Sequence, residues 1–178
     1  QSREHALLTS CQIDDTFYPL RLVPYRLTCA SYMASLCAAA AQPGQEARQL
    51  YELLLRGLYY LAYDPQADPL ETTTAFLLLL ADVSGYRPRL SRCASCRTPL
   101  DVGAGALWDG AAGGLCCPAC RTRESARLSQ EQIAWMCGVL RGGLTPQKNT
   151  GAGSMFDLLR RYVEDRLETP VRAGRLLP

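Results

Sequence analysis

The sequence predicts a mainly α fold: a helical bundle domain interrupted by an inserted four-cysteine zinc-ribbon (zinc-finger) module with a small β-hairpin. Three observations carry this. Before residue 87 and after residue 123, apolar side chains recur at intervals of three and four, the period of a helix half buried on a core. Between these stretches, Cys93-Ala-Ser-Cys96 and Cys117-Pro-Ala-Cys120 stand 20 residues apart in a glycine-rich segment with one aromatic side chain, Trp108. The 178 residues, 48% of them apolar, suffice for one core and a metal-stabilised satellite. The expected division is 1–86 as the first part of the helical domain, 87–123 as the insertion, and 124–178 as the second part with a basic tail.

Asp14-Asp15 and Pro19 break the opening segment. From about Leu22, the positions Val23, Leu27, Ala30, Ala34 and Ala38 predict an amphipathic helix with Pro24 tolerated in its first turn, ended by Pro43-Gly44. A second helix is predicted from about Gln45 to Tyr63, with Leu50, Leu53, Leu54, Leu58 and Leu61 as its inner stripe and Asp64-Pro65 as its stop. Tyr51, Tyr59, Tyr60 and Tyr63 lie among those leucines, where packing at core and rim outweighs stacking on bases. A third helix starts near Pro69 and carries the run Ala75 to Ala81 as far as Gly85, a residue that readily takes left-handed backbone after a last turn. No stretch reaches the roughly 18 uncharged apolar residues of a bilayer span.

Residues 87 to about 122 read as the metal module. Gly103, Gly105, Gly110, Gly113 and Gly114 permit tight hairpin turns, and Leu107 and Trp108 give a small apolar face. Ser129-Gln130-Glu131-Gln132 has capping-box spacing and opens a helix whose inner face is Ile133, Met136, Cys137 and Leu140, ended by Gly142-Gly143. Residues 144–153 read as a loop. The last helix opens at Ser154, with Leu158, Leu159, Tyr162, Val163 and Leu167 inward and Arg160, Arg161, Glu164 and Arg166 outward. Thr169-Pro170 stops it, leaving a tail with Arg172 and Arg175.

The paired cysteines carry the strongest chemistry. Zn²⁺ is a borderline-soft ion that takes thiolate sulfur at about 2.3 Å in closed tetrahedral sites. Two intervening residues let one tight turn present both sulfurs, and a separation of roughly 15 to 20 residues lets a hairpin return the second pair to the first. A structural Zn²⁺ held by Cys93, Cys96, Cys117 and Cys120 is therefore expected. The alternative is free or disulfide-paired cysteines in a loop-rich excursion. Nine cysteines leave one over in a purely disulfide scheme, and the set fits a reducing compartment better than secretion. Cys116 stands one residue too far from Cys120 for a symmetric knuckle and reads as a packing residue. Cys29 and Cys37 read as small buried hydrophobes.

Enzymatic readings run short of parts, so a non-enzyme without a small-molecule substrate is expected. The one histidine, His5, sits near an end, and no nucleophile-elbow or phosphate-loop motif occurs. Four cysteines leave no open metal position, and Asp101 and Asp109 read as turn residues. Charge is more informative. Before Arg87, five arginines face nine acids; from Arg87 onward, 13 arginines and Lys148 face eight acids, giving net −4 and +6. A basic half suggests an anionic partner, nucleic acid first, although 18 arginines to one lysine also fit GC-biased coding. Arg87, Arg89 and Arg92 precede the first knuckle, Arg97 follows it, and Arg121, Arg123 and Arg127 follow the second. Metal binding would bring these flanks together for bidentate phosphate contact. The rivals are a protein-interaction module with an apolar groove, and a zinc-ribbon subunit of a transcription or translation assembly.

Four segments carry a family resemblance. They are Asp15-Thr16-Phe17-Tyr18-Pro19-Leu20-Arg21; the run Phe76 to Leu80 followed by Ser84-Gly85-Tyr86-Arg87-Pro88-Arg89-Leu90 and Cys93-x-x-Cys96; Gly113-Gly114-Leu115-Cys116-Cys117-Pro118-Ala119-Cys120; and Leu158 to Leu167. Together they resemble the RecO family of bacterial DNA repair and recombination mediators, in the portion after its N-terminal OB-fold, which has no counterpart here. The resemblance implies a non-enzymatic cytoplasmic, nucleoid-associated protein that binds single- and double-stranded DNA. It also implies annealing of complementary strands and loading of RecA with RecR and single-strand-binding protein. Arg87, Arg89, Arg92, Arg97, Arg121, Arg123, Arg127, Arg160, Arg161 and Arg166 are the expected DNA contacts. A second implied activity is receipt of the acidic C-terminal tail of single-strand-binding protein, with DNA contact then mostly in the missing OB domain.

Overall fold

A computed structural model describes residues 9–42, 47–103, 105–145 and 151–168. His5, Pro43-Gly44, Ala104, Thr169-Pro170 and the tail with Arg172 and Arg175 lie outside the described residues. The helices are α1 (Pro24–Ala40), α2 (Arg48–Tyr63), α3 (Pro69–Val83), α4 (Gln130–Gly142) and α5 (Phe156–Arg166). The strands β1 (Ala106–Asp109), β2 (Gly114–Cys116) and β3 (Ala126–Leu128) form an antiparallel sheet of order β2-β1-β3.

The bundle is organised on α3, which is buried from Glu71 to Ala81 and packs against the other four helices. Its start is locally determined: Asp68 accepts the Glu71 amide at 2.8 Å and Pro69 occupies the first turn. Thr73 and Thr74 sit in the core because their hydroxyls donate to Pro69 O and Leu70 O at 2.7 and 2.8 Å, which satisfies a buried polar group within the helix. At the other end Gly85 takes φ +85° and the Tyr86 amide reaches back to Ala81 O at 2.7 Å.

The expected face of α1 is overturned. Val23 and Leu27 are 44% and 41% exposed, and Ala34 and Ala38 face solvent; the buried side is Cys29, Ala30, Tyr32, Met33, Leu36 and Cys37. This helix is apolar nearly all round, so its period does not choose a face. Turning Tyr32, Met33 and Leu36 inward removes more apolar area from water than turning in alanines. Burial pushes the Cys29 and Cys37 thiols up to about 11, consistent with inert packing residues. On α2 the leucine stripe packs as expected, and Tyr51, Tyr59 and Tyr63 stay exposed at its rim. Gly57 lets α1 approach there, since a Cβ would stand 3.0 Å from Met33 Sδ.

A second correction concerns α5. Arg160 and Glu164 are not turned to water: their side chains are only 21% and 14% exposed and pair at 3.3 Å. Glu164 also accepts the Tyr32 hydroxyl at 3.2 Å, and Arg160 reaches Asp157 at 2.9 Å. Arg166 is also half-buried. Its guanidinium donates to Gly110 O and Ala111 O, both at 2.9 Å, and lies 5.3 Å from the Tyr162 ring centre.

The sheet exceeds the expected hairpin by one strand. β3 pairs with β1 from beyond residue 123, and Leu128 adds its side chain to the core. The sheet sits on the helices through Trp108, which is 3% exposed and meets Tyr162 edge-on at 5.2 Å. The Tyr162 hydroxyl donates to Tyr86 O at 2.7 Å, so the ring that receives Trp108 also clamps the entry to the cysteine segment. Trp108, Leu115 and Leu128 belong to the same apolar cluster as the helices. The capping box forms as read: Ser129 Oγ accepts the Gln132 amide at 3.3 Å and Gln132 Oε1 accepts the Ser129 amide at 2.9 Å.

Candidate metal centre and its arginine rim

Backbone pairing carries the two knuckles together. Arg89 N donates to Gly113 O at 3.0 Å, Leu115 N to Arg89 O at 2.8 Å, and Ala94 N to Leu115 O at 2.7 Å, so residues 89–94 run beside β2. Gly114 is required for this approach. Its φ is +152°, and any Cβ there would collide with the Arg89 backbone. The first knuckle turns through Arg97, a non-glycine residue at φ +65° whose amide returns to Cys93 O at 2.9 Å.

The ligand atoms of Cys93, Cys96, Cys117 and Cys120 all lie within 4.8 Å of one another, with Cys96 and Cys117 sulfurs 3.7 Å apart. Sulfurs around one tetrahedral ion at about 2.3 Å stand about 3.8 Å from each other, so the four donors fit a single metal ion. None of the nine cysteines is paired in a disulfide. The surroundings favour thiolate at the first knuckle. Amides of Cys96 and Cys117 donate to Cys93 Sγ at 3.5 and 3.4 Å and lower its pKa, and Thr98 lowers that of Cys96 from 3.2 Å. Cys120 is raised, because its thiol is hydrogen-bonded to the sulfurs of Cys117 and Cys96. Cys116 stays outside the quartet: it is 1% exposed, raised by burial, and packed 3.7 Å from Ser95 Oγ.

Asp109, read as a turn residue, is a buried tie. It accepts the Ala112 amide at 2.9 Å, the Thr122 hydroxyl at 2.8 Å and the Ser125 hydroxyl at 3.4 Å, and these bonds lower its pKa. It therefore links the β1–β2 turn to the chain leaving the second knuckle.

The ten arginines singled out in the sequence divide into different environments. Arg92, Arg97, Arg121, Arg123 and Arg127 are exposed around the knuckles and β3. Arg87 is anchored by Asp82 at 2.9 Å and Leu140 O at 3.3 Å, and Arg89 by Ala94 O at 3.3 Å. Arg160 and Arg166 are engaged inside the protein as described. Arg161 is exposed but borders a cleft it shares with Asp109, Glu124, Asp157 and Asp165, where acids oppose an anion. Arg141 was missed. It follows Leu140 at the end of α4 and lines one groove with Arg87, Arg89 and Arg92.

This is the architecture of a helical domain bearing a metal ribbon with a basic rim. Among the described residues no helix is long and apolar enough to cross a membrane. Residues 21–175 match the family model for the C-terminal part of recombination protein O, and the chain belongs to this RecO family. It is 33% identical over 119 residues to the DNA repair protein RecO of Moorella thermoacetica, covering 67% of this chain and 43% of that protein. With the RecO protein of Gloeobacter violaceus it shares 32% over 158 residues, covering 85% and 60%. With that of Frankia casuarinae it shares 34% over 118 residues, covering 66% and 47%. The chain spans about half the length of the curated relatives it matches.

Proposed function

We propose that the chain acts in bacterial DNA repair as the helical and zinc-ribbon portion of a DNA-binding recombination mediator. The observation that carries this reading is the family match across residues 21–175. Cys93, Cys96, Cys117 and Cys120 would hold Zn²⁺, which when bound supplies a structural crosslink and folding energy. The chain's own residues do the rest. The thiols gather the segments that bear Arg92, Arg97, Arg121 and Arg123, and these guanidiniums contact phosphates. No histidine or open coordination position is needed for this role, because binding alone organises the strand.

Metal content with thiol counting tests the centre: one zinc per chain and four thiols protected until chelation are expected. Oligonucleotide anisotropy across a salt series tests the rim. If about four arginines engage a single strand, the log-log slope is near −3, from roughly −0.7 per contact. A flat dependence would sink the electrostatic reading. Family membership extends the proposal to single- and double-stranded DNA, to cooperation with RecR and single-strand-binding protein in loading RecA, and to a cytoplasmic location at the nucleoid. Co-purification of the chain with each partner checks those steps.

A second reading is favoured by a hollow on α2 lined by Glu52, Leu55, Arg56, Tyr59 and Tyr60, with Tyr59 meeting Phe17 edge-on at 5.3 Å. Leu55 and the two tyrosines suit an apolar terminal side chain and Arg56 an acid, as the tail of single-strand-binding protein would offer, while Glu52 is held by Arg48 at 2.8 Å. Binding of an acidic, phenylalanine-terminated peptide without oligonucleotide binding would favour it over direct DNA contact.

A further inference from the structure

Between residues 87–92 and the C-terminal end of α4 lies an open groove of about 400 Å³. Arg87, Arg89, Arg92 and Arg141 surround it, and Leu90 and Leu140 line its floor. Three of these arginines are already oriented by main-chain carbonyls: Arg87 by Leu140 O, Arg89 by Ala94 O, and Arg141 by Cys137 O at 3.2 Å. Each of those bonds uses part of a five-donor fork and leaves the remaining N–H groups for a ligand. Prior orientation lowers the side-chain entropy lost on binding. Among the described residues the one acid paired with any of the four is Asp82.

We infer that this groove is a phosphodiester channel that seats the backbone of a single nucleic-acid strand, with Arg92 and Arg141 as its exposed contacts. The inference rests on the DNA-binding reading above and names the surface that serves it. Four arginines along one groove match a row of monoanionic phosphates. None of the lining residues is aromatic, so the groove offers no stacking platform and grips sugar and phosphate, not bases. The wall bearing Arg89 is the segment that pairs with Gly114 at the start of β2, so the groove is assembled by the same pairing that gathers the thiols.

The test measures binding of fluorescein-labelled oligo(dT), and of an abasic strand of equal length, to the zinc-loaded chain across a salt series. Arg92→Ala/Arg141→Ala is compared with Arg21→Ala, an exposed arginine before α1 that is not among the expected DNA contacts. The double variant changes only exposed side chains, and unchanged circular dichroism and melting verify its fold. The expected result is similar affinity for both strands, about tenfold weaker binding by the double variant, and a salt slope smaller by about 1.4. Arg21→Ala should bind as the wild type does. Unchanged binding by the double variant overturns the groove assignment and leaves the DNA-binding reading intact. Absence of oligonucleotide binding by the wild type overturns both. Tighter capture of an acidic peptide than of a strand of equal charge, lost in the double variant, overturns the nucleic-acid occupant.

Discussion

Trp108→Ala tests whether the metal ribbon and the helices share one core. The indole is 3% exposed, and a buried tryptophan removes about 150–250 Å² from water, so at roughly 25 cal/mol per Å² its burial contributes about 4–6 kcal/mol as an upper figure. Aromatic-to-alanine substitutions in cores cost about 3–5 kcal/mol, and the edge-on contact with Tyr162 at 5.2 Å belongs to that loss. Set against a typical domain stability of about 5–15 kcal/mol, this is a large fraction, corresponding to a fall in Tm of about 10 °C. Urea unfolding of the zinc-loaded chain, followed by far-ultraviolet circular dichroism, reads mainly the helices. One cooperative transition shifted by about 3 kcal/mol or more is expected. A change under about 1 kcal/mol, or a helical transition that stays in place while the ribbon melts separately, would refute the shared core.

Arg26→Ala should cost about 2 kcal/mol, read by the same unfolding assay. Its guanidinium donates to Leu61 O, Asp64 O and Ala67 O at 2.7, 3.0 and 3.1 Å, closing carbonyls at and after the end of α2. Gly114→Ala should release the metal site while Gly110→Ala retains it. Only the former places a Cβ against backbone, and bound zinc per chain after desalting is the readout. Asp109→Asn should flatten the acid limb of stability. The folded pKa of Asp109 is lowered from 3.8, so its contribution is full above that value and is lost as pH falls through the folded one. Melting temperature against pH for wild type and variant checks this, and parallel curves would contradict it.

What was legible without the structure was written in short-range chemistry. Pro69 and Ser129 to Gln132 start helices because their own ring or side chains suit the first turn, and Gly85 ends one because left-handed backbone costs it nothing. The Cys-x-x-Cys pairs are local in the same sense, since two intervening residues suffice to converge two sulfurs. The partners that tie segments together were not legible. Arg26 caps a helix 35 to 41 residues away, and Tyr32 meets Glu164 at a separation of 132 residues, which drew Arg160 and Glu164 out of water. β3 has too few residues to announce a strand and forms because β1 offers an open edge.

The sequence by itself therefore determined the ends of α2 and α3, the starts of α3 and α4, and the thiol quartet, because sterics and hydrogen bonding within about one turn decide them. The tertiary structure alone decided which side of α1 is buried, which arginines remain exposed, and that Arg87, Arg89, Arg92 and Arg141 share one groove. Those outcomes depend on how much area competing faces bury and on which distant carbonyl or carboxylate a guanidinium meets. No local pattern contains that information, since it exists only once α3 and the sheet have packed.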